Sequence, residues 1–259
     1  MSDALYERRG DAVYATEYTR GPWDPNAQHG GPVGAILVRA MEALDDGGLG
    51  LHMARFTLEL LKPAPLGELR ASAEIVRPGR RVQMLEASLS TPDGTEVAKA
   101  RAVRVAPAPV DAGVQPGVEI PGPDSVGPTD FPAWKHTVFP GGGVEVRIVR
   151  GSFFELGPTA AWFRLRVPVL AGETPSPLQR VLAAADFPNG ISTELSWQEW
   201  LFINPDLTVC LERIPVGEWI GLDAHMRVAR GGGAVSQGVL YDERGRIGRS
   251  VQSLYVAPR

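Results

Sequence analysis

The sequence predicts an α+β fold built from two tandem copies of one unit. Three observations predict it: a strand-and-turn pattern that recurs along the chain, an apolar helix ahead of each recurrence, and a stretch rich in proline and glycine between the copies. Self-similarity of this kind decides the architecture before any single element does.

The recurrence is clearest when residues 56–105 are set above residues 206–256. Pro65, Gly67 and Glu68 then fall against Pro215, Gly217 and Glu218. Pro78-Gly79 meets the glycines around Gly231, and Asp93-Gly94 meets Asp242 to Gly245, with one extra residue in the second copy's last turn. Each copy reads as an apolar run, a Gly-Glu corner, a strand, a glycine turn, a strand, a Gly/Asp turn and a last strand, which predicts a four-strand antiparallel meander. Helices are predicted over 32–44 and 177–186. Pro32 and Pro177 suit a first helical turn, where the missing N–H has no intrahelical partner in any case. Both segments are apolar nearly all round, so each helix is expected to be buried. A preceding strand shows as AVYATEYT near Ala12 and as TAAWFRLRVPV near Thr159. Proline and glycine crowd residues 106–133, which predicts a linker without regular structure. The expected units are 1–106 and 136–259, joined by 107–135.

The chain has 259 residues, 44% of them hydrophobic and 22% charged, which is enough apolar material for a real core. A formal net charge of −4 and the lack of a long basic run argue against a nucleic-acid partner. The first twenty residues have no apolar core behind a basic tip, and no stretch approaches the ~18 apolar residues of a membrane span. A cytoplasmic address is expected. Cys210 is the single cysteine, so neither an internal disulfide nor a cysteine zinc cluster is available. It is expected to be a small core residue on a strand.

A long apolar helix gripped by a curled antiparallel sheet resembles the hotdog fold, and two such units on one chain resemble the double-hotdog acyl-CoA thioesterases of the thioesterase II family. The resemblance rests on WDPNAQHGGPVGAILVRAME in the first half, and on AAADF, FINPDLTVCLER and IGRSVQSLYV in the second. It implies a long buried helix wrapped by sheet in each unit, an acyl-CoA substrate and no cofactor or metal. It also implies three site residues: an Asp on the second helix, a small polar residue where the next strand begins, and a Gln in the final strand. These fall on Asp186, Asn204 and Gln252. Asn204 departs from the threonine usual in the family, though a side-chain amide can still hold a water.

Thioester hydrolysis needs a nucleophilic water, a base to take its proton, and donors for the oxyanion. Asp186 ends an apolar helix, where a carboxylate is costly unless bonded or used, and its expected role is the base. The competing reading is that it only terminates the helix before Phe187-Pro188. Gln252 has Arg101 as its counterpart in the first copy, so the fold does not demand an amide there; the strand pattern leaves its face open. His29-Gly30-Gly31 precedes the first helix, where bare N–H groups and the helix dipole favour an anion. Gly31 or Gly30 is the expected oxyanion donor, and the second helix has Thr174-Pro175-Ser176 in that place. Each half thus keeps a different part, and because the resemblance implies that the two helices lie near one another across a shared interface, one composite site per chain is expected between Asp186 and the glycine turn.

Weaker candidates are His29 as a substrate contact, or simply a loop hydrogen bond, and Arg80 and Arg81 as partners of coenzyme A phosphates, or simply a solvated turn. Trp197, Trp200 and Phe202 read as core or interface surface rather than as an acyl tunnel lining. No Gly-x-Ser-x-Gly elbow surrounds a serine, and no Gly-x-Gly-x-x-Gly opens a helix after a strand. Two other functions stay open: an acyl-CoA or acyl-chain binding protein without turnover, and hydration of an enoyl thioester, which would want an Asp with a nearby His. Sheet edges left unpaired make a homo-oligomer possible.

Overall fold

A computed structural model describes residues 3–108, 119–130, 138–153 and 155–259; the rest of the expected linker lies outside these. The first half runs β1 (Tyr6–Arg9), β2 (Ala12–Ala15), α1 (Gly30–Glu42), β3 (His52–Leu60), β4 (Gly67–Arg77), β5 (Val82–Ser90) and β6 (Glu96–Val105). The second runs β7 (Val144–Arg150), β8 (Thr159–Leu165), α2 (Pro177–Ala185), α3 (Pro188–Ile191), β9 (Trp200–Ile203), β10 (Asp206–Leu211), β11 (Ile220–Val228), β12 (Gly233–Asp242) and β13 (Gly245–Pro258). β1, β7 and β9 were not expected from the sequence.

Among the described residues all strands join one antiparallel sheet in the order β1-β2-β4-β5-β6-β3-β10-β13-β12-β11-β8-β7, with β9 beside β13. The order is the same read from either end once each strand is exchanged for its counterpart. The register at the centre repeats this: Thr57 pairs with Thr208, and exchanging the copies turns that pair into Leu58 with Leu207, which is also present.

The expected four-strand meander holds only in part, for β4-β5-β6 and β11-β12-β13. In each copy the first strand leaves the corner and lies beside the last, β3 against β6 and β10 against β13. The reason is visible in the connection between β3 and β4. It crosses the open end of α1, where Gln28 donates its backbone N–H to Ala64 O (2.8 Å) and its side-chain amide to Pro65 O (2.7 Å). That crossing frees β3 to pair with β10 and lays residues 61–66 over the helix start.

The helices pack antiparallel under the sheet. α1 is buried along Val33, Ala35, Ile36, Leu37, Val38 and Met41, and α2 along Val181 to Ala185. Close approach is set by glycine. A Cβ on Gly31 would lie 2.6 Å from Ala183 O, and one on Gly34 would rest on Leu182 at 3.4 Å. Arg39 of α1 holds Glu173, ahead of α2, through two N–H donors at 2.6 Å. Burial of this apolar face, at roughly 25 cal/mol per Å² removed from water, is what holds such helices to a sheet.

Cys210 corrects an expectation. On β10 the alternation sends Leu207, Val209 and Leu211 inward, so Thr208 and Cys210 point outward, and the thiol is exposed. The described part of the linker region is ordered against the second half: Ile120 packs with Trp162, Trp219 and Tyr241, and Trp162 Nε1 donates to Pro121 O at 2.7 Å. No helix among the described residues is long and apolar enough to cross a membrane.

Candidate active site

The antiparallel helix pair sets the N-terminus of α1 beside the C-terminus of α2. Asp186 is the residue that caps α2. Its carboxylate lies against Gly30, so closely that a Cβ there would stand 2.7 Å from Oδ2. The positive end of the α1 dipole therefore faces a carboxylate that is only 4% exposed.

Oδ1 of Asp186 accepts two amide N–H bonds, from Asn204 Nδ2 and from Gln252 Nε2, both at 2.8 Å. Backbone groups fix which end of each amide points at the acid. Asn204 Nδ2 also donates to Asp206 O (3.1 Å), and Gln252 Oε1 accepts from the Asn189 N–H (3.3 Å). Neither amide can flip without losing such a bond. Gln252, whose face was open from the sequence, points inward and is fully buried, while Val251 and Tyr255 face out.

His29 caps α1 and is the closest partner of the other oxygen, with Nδ1 3.0 Å from Asp186 Oδ2. The same Nδ1 lies 3.0 Å from the Gly31 N–H. One nitrogen cannot serve both, since accepting from Gly31 needs a lone pair and bonding a carboxylate needs a proton. Nδ1 accepts the Gly31 N–H in capping α1, and the Nδ1 to Oδ2 approach becomes a hydrogen bond only in the form of the ring that carries its proton there. The imidazole is braced by Phe187 (ring centres 4.8 Å apart) and Phe139 (5.2 Å).

These groups face a pocket of about 320 Å³ whose wall includes His29, Gly30, Asp186, Asn189 and Asn204. Trp23, Val33, Leu60, Ala64, Ile203 and Pro205 supply its apolar surface, and Lys62 and Tyr255 also contribute to its lining. Gln252 stands behind Asp186 rather than on the pocket surface.

Of the residues expected from the sequence, Asp186, Asn204, Gln252, His29 and Gly30 come together. Gly31 stands apart from them: its N–H donates to His29 Nδ1, a Cβ on it would meet Ala183 O, and it is not part of the pocket wall. Arg80 and Arg81 lie away from this pocket. Their turn joins β4 to β5 beside Val82, which pairs with Val105 and so with His52, whereas the pocket is at the Leu60 end of β3. The length of that nine-residue strand, ~30 Å at its usual rise, separates them.

Sequence reasoning missed Asn189, three residues after Asp186, which bonds both supporting amides. It also missed the contact of His29 with Asp186, because that partner lies in the other half of the chain. Trp197 and Phe202 belong to a core cluster, as expected, with Trp23 stacked on Trp197 at 4.5 Å.

The other ends of the two helices form an image of this site. A pocket of about 510 Å³ there is lined by Leu178, Ile214, Met53 and Arg104, the counterparts of Val33, Ala64, Ile203 and Tyr255. Glu42, Asp45 and Asp46 are its acids, and the one between the helices, Glu42, is held by Ser176 Oγ (2.7 Å) and Gln179 Nε2 (3.0 Å). The counterpart of Asn204 is Ala54, and that of Gln252 is Arg101, which is exposed and paired with Glu86 at 3.0 Å.

Comparison with known proteins decides the family. Residues 19–105 match the acyl-CoA thioesterase N-terminal domain, and residues 121–256 match the acyl-CoA thioesterase C-terminal domain. The chain belongs to the acyl-CoA thioesterase family. Members of this family are thioester hydrolases, and this chain is one by that membership. Among solved structures, it is similar to a candidate thioesterase II from Thermobifida fusca (TM-score 0.75, 18% identity, covering 98% of this chain and 96% of that one). A hot dog fold protein from Alicyclobacillus acidocaldarius is equally similar (TM-score 0.75, 18% identity, 99% and 97% covered). An acyl-CoA thioesterase II from Mycobacterium marinum follows (TM-score 0.66, 17% identity, 98% and 95% covered). At these identities the likeness is one of fold, the hotdog fold. No curated protein sequence matches the chain.

Proposed function

We propose that the chain hydrolyses an acyl-CoA thioester to free acid and coenzyme A at one site, built across two tandem hotdog units spanning 1–106 and 136–259. The observation that carries this reading is the buried Asp186 carboxylate, with Oδ1 held by two amides and the acid facing a pocket beside the start of α1.

Water held against Asp186 and Asn204 attacks the thioester carbonyl carbon, and Asp186 takes its proton. The oxyanion that forms is met by the Gly30 N–H, which as the first of the helix has no intrahelical acceptor, and by the α1 dipole. When the tetrahedral species collapses the carbon–sulfur bond breaks, and the proton held by Asp186 passes to the departing thiolate. Asn204 and Gln252 fix the carboxylate, and His29 bonds its second oxygen only in the form of the ring that carries its proton on Nδ1. Lys62, which lines the pocket, replaces Arg80 and Arg81 as the cation nearest an incoming phosphate. The image pocket lacks the Asn204 and Gln252 counterparts and its acid between the helices, Glu42, is tied to Ser176 and Gln179, which supports one site per chain.

The 3.0 Å His29–Asp186 contact also supplies what hydration of an enoyl thioester would want, so the assay must separate the two. Purified protein given saturated and enoyl-CoA substrates is expected to release free thiol from the saturated ones. Loss of enoyl absorbance without thiol release would favour hydration. Thermal stabilisation by acyl-CoA with neither signal would favour a binding protein.

A further inference from the structure

Hydrolysis at this site, the reading on which this inference rests, needs donors for the oxyanion, and the start of α1 is one short. We propose that His29 is a catalytic residue whose Nε2–H is the second donor to the thioester oxygen, beside the Gly30 N–H.

The first N–H groups of a helix have no intrahelical acceptors, and they are what a helix start offers an anion. At α1 most are already engaged. The His29 N–H donates to Thr19 O (2.8 Å), the Gly31 N–H donates to His29 Nδ1 (3.0 Å), and Pro32 has no N–H. Only the Gly30 N–H is left. The side-chain amides around Asp186 hold none in reserve. Asn204 Nδ2 donates to Asp186 Oδ1 and Asp206 O, and Gln252 Nε2 to Asp186 Oδ1 and Asp186 O. Asn189 Nδ2 is turned to Asn204 Oδ1 and Phe202 O. Such an amide has two N–H donors, so each is fully used.

His29 supplies the missing donor through the same bond that engages Gly31. A neutral imidazole that accepts at Nδ1 carries its proton on Nε2. Among the described residues nothing bonds Nε2, and it is not one of the buried polar atoms without a partner, so it opens on the pocket whose wall includes the ring. The Nδ1 bond and the rings of Phe187 (4.8 Å) and Phe139 (5.2 Å) fix the imidazole before substrate arrives. An oxyanion donor is effective when it is preorganised in this way, and a neutral imidazole at a helix N-terminus is suited to polarising a carbonyl. In this tautomer the ring gives no proton to Asp186 Oδ2, 3.0 Å away, which leaves that oxygen to the attacking water. The Nε2 proton stays on the ring throughout. The oxyanion's charge returns to the carbonyl as the carbon–sulfur bond breaks, and the departing thiolate takes the proton held by Asp186.

Asparagine and glutamine divide the two ring nitrogens between them. In His29→Asn the amide oxygen stands where Nδ1 stood, so α1 keeps its cap, and nothing reaches the place of Nε2. In His29→Gln the amide nitrogen reaches that place and the cap is given up. kcat/KM for thiol release is expected to fall by about 10²–10³ in His29→Asn, the usual worth of one oxyanion donor, chiefly in kcat and with the melting transition retained. His29→Gln is expected to be the less stable protein and yet at least about tenfold more active than His29→Asn. A histidine that only capped the helix would give the reverse order of activities. A ketone analogue of acyl-CoA, with CH₂ in place of sulfur, reports the same bond without turnover, because a donor lowers its infrared carbonyl stretch. That lowering should be smaller in His29→Asn than in the parent. A folded His29→Asn protein with kcat/KM within about threefold of the parent, or with an unchanged carbonyl stretch, would overturn the proposal. A parent that releases no thiol but shows a carbonyl shift dependent on His29 fails the hydrolase reading and keeps the donor.

Discussion

Gly30→Ala isolates the contact on which the site geometry depends. Gly30 is helical, so alanine is conformationally acceptable and by propensity alone would stabilise the helix by up to ~1 kcal/mol. The new methyl would stand 2.7 Å from Asp186 Oδ2, 3.0 Å from its Cγ and 3.1 Å from Oδ1. Ordinary contact requires about 3.5 Å, so the carboxylate must retreat by roughly 0.5–1 Å. It is not free to do so cheaply, because Oδ1 is held at 2.8 Å by both Asn204 and Gln252. A displacement near 1 Å at a reacting group costs about a hundredfold in rate. Gly30→Ala is therefore expected to lose about that factor in kcat/KM for acyl-CoA hydrolysis while its melting temperature moves by only a few degrees. Gly31→Ala gives the contrast. Its obstruction is the Ala183 backbone oxygen at 2.6 Å, so the helices must separate, and a loss of ~1–3 kcal/mol in denaturant unfolding is expected. Gly30→Ala with activity within about threefold of the parent, ~0.7 kcal/mol, and an unchanged fold would refute the reasoning, since the carboxylate would then have room it is described as lacking.

Gln252→Ala should cost ~1–3 kcal/mol in stability and reduce turnover, because the Asn189 N–H and one side of Asp186 lose a partner in a fully buried place; a neutral result in chemical denaturation and in rate would count against the amide clamp. Acid should destabilise the fold through Asp242 and Glu173. Burial raises the Asp242 carboxyl, but bonds from Arg213 and from the Val216 and Arg244 N–H groups outweigh it, and the Arg39 guanidinium beside Glu173 holds that carboxyl down as well. Both lie lower folded than unfolded, so their stabilisation is present above the ordinary carboxylate range and is lost as pH falls through it. Melting temperature followed downward from about pH 5 should drop, less steeply in Asp242→Asn. Cys210 should react with a maleimide in the native protein without loss of activity; labelling only after unfolding would contradict its outward position on β10.

The repeat was legible because Pro65-x-Gly67-Glu68 and Pro215-x-Gly217-Glu218 mark the same corner twice. Helix α2 was legible to within a residue because Ser176 and Pro177 begin it and Asp186 ends it. Strand order was less so. Alternation tells which residues form β3, but pairing with β6 rather than β4 depends on a crossing over α1 that leaves no mark in the period of the pattern. The face of Cys210 could be had from the alternation of Leu207, Val209 and Leu211, and general preference for buried cysteine overrode it. For the site, the family resemblance supplied Asp186, Asn204 and Gln252 and the nearness of the helices, and comparing the copies marked Asp186 and Gln252 as second-half features and the glycine turn as a first-half one. It could not find Asp186 as the partner of His29, because the contact forms only when the helices pack. Nor could it tell that Gly30 and Gly31 face different things, a carboxylate and a backbone carbonyl, since one step along the helix start turns the Cα by about 100°.

Asp186→Asn keeps the size of the side chain and can still accept from Asn204 and Gln252, so it removes the base while leaving the pocket standing. Thiol release from the best acyl-CoA substrate is expected to fall by about 10²–10⁴, the usual worth of a positioned general base, with the melting transition retained. Turnover by a folded Asp186→Asn protein within about threefold of the parent, ~0.7 kcal/mol, would show that the proton goes elsewhere.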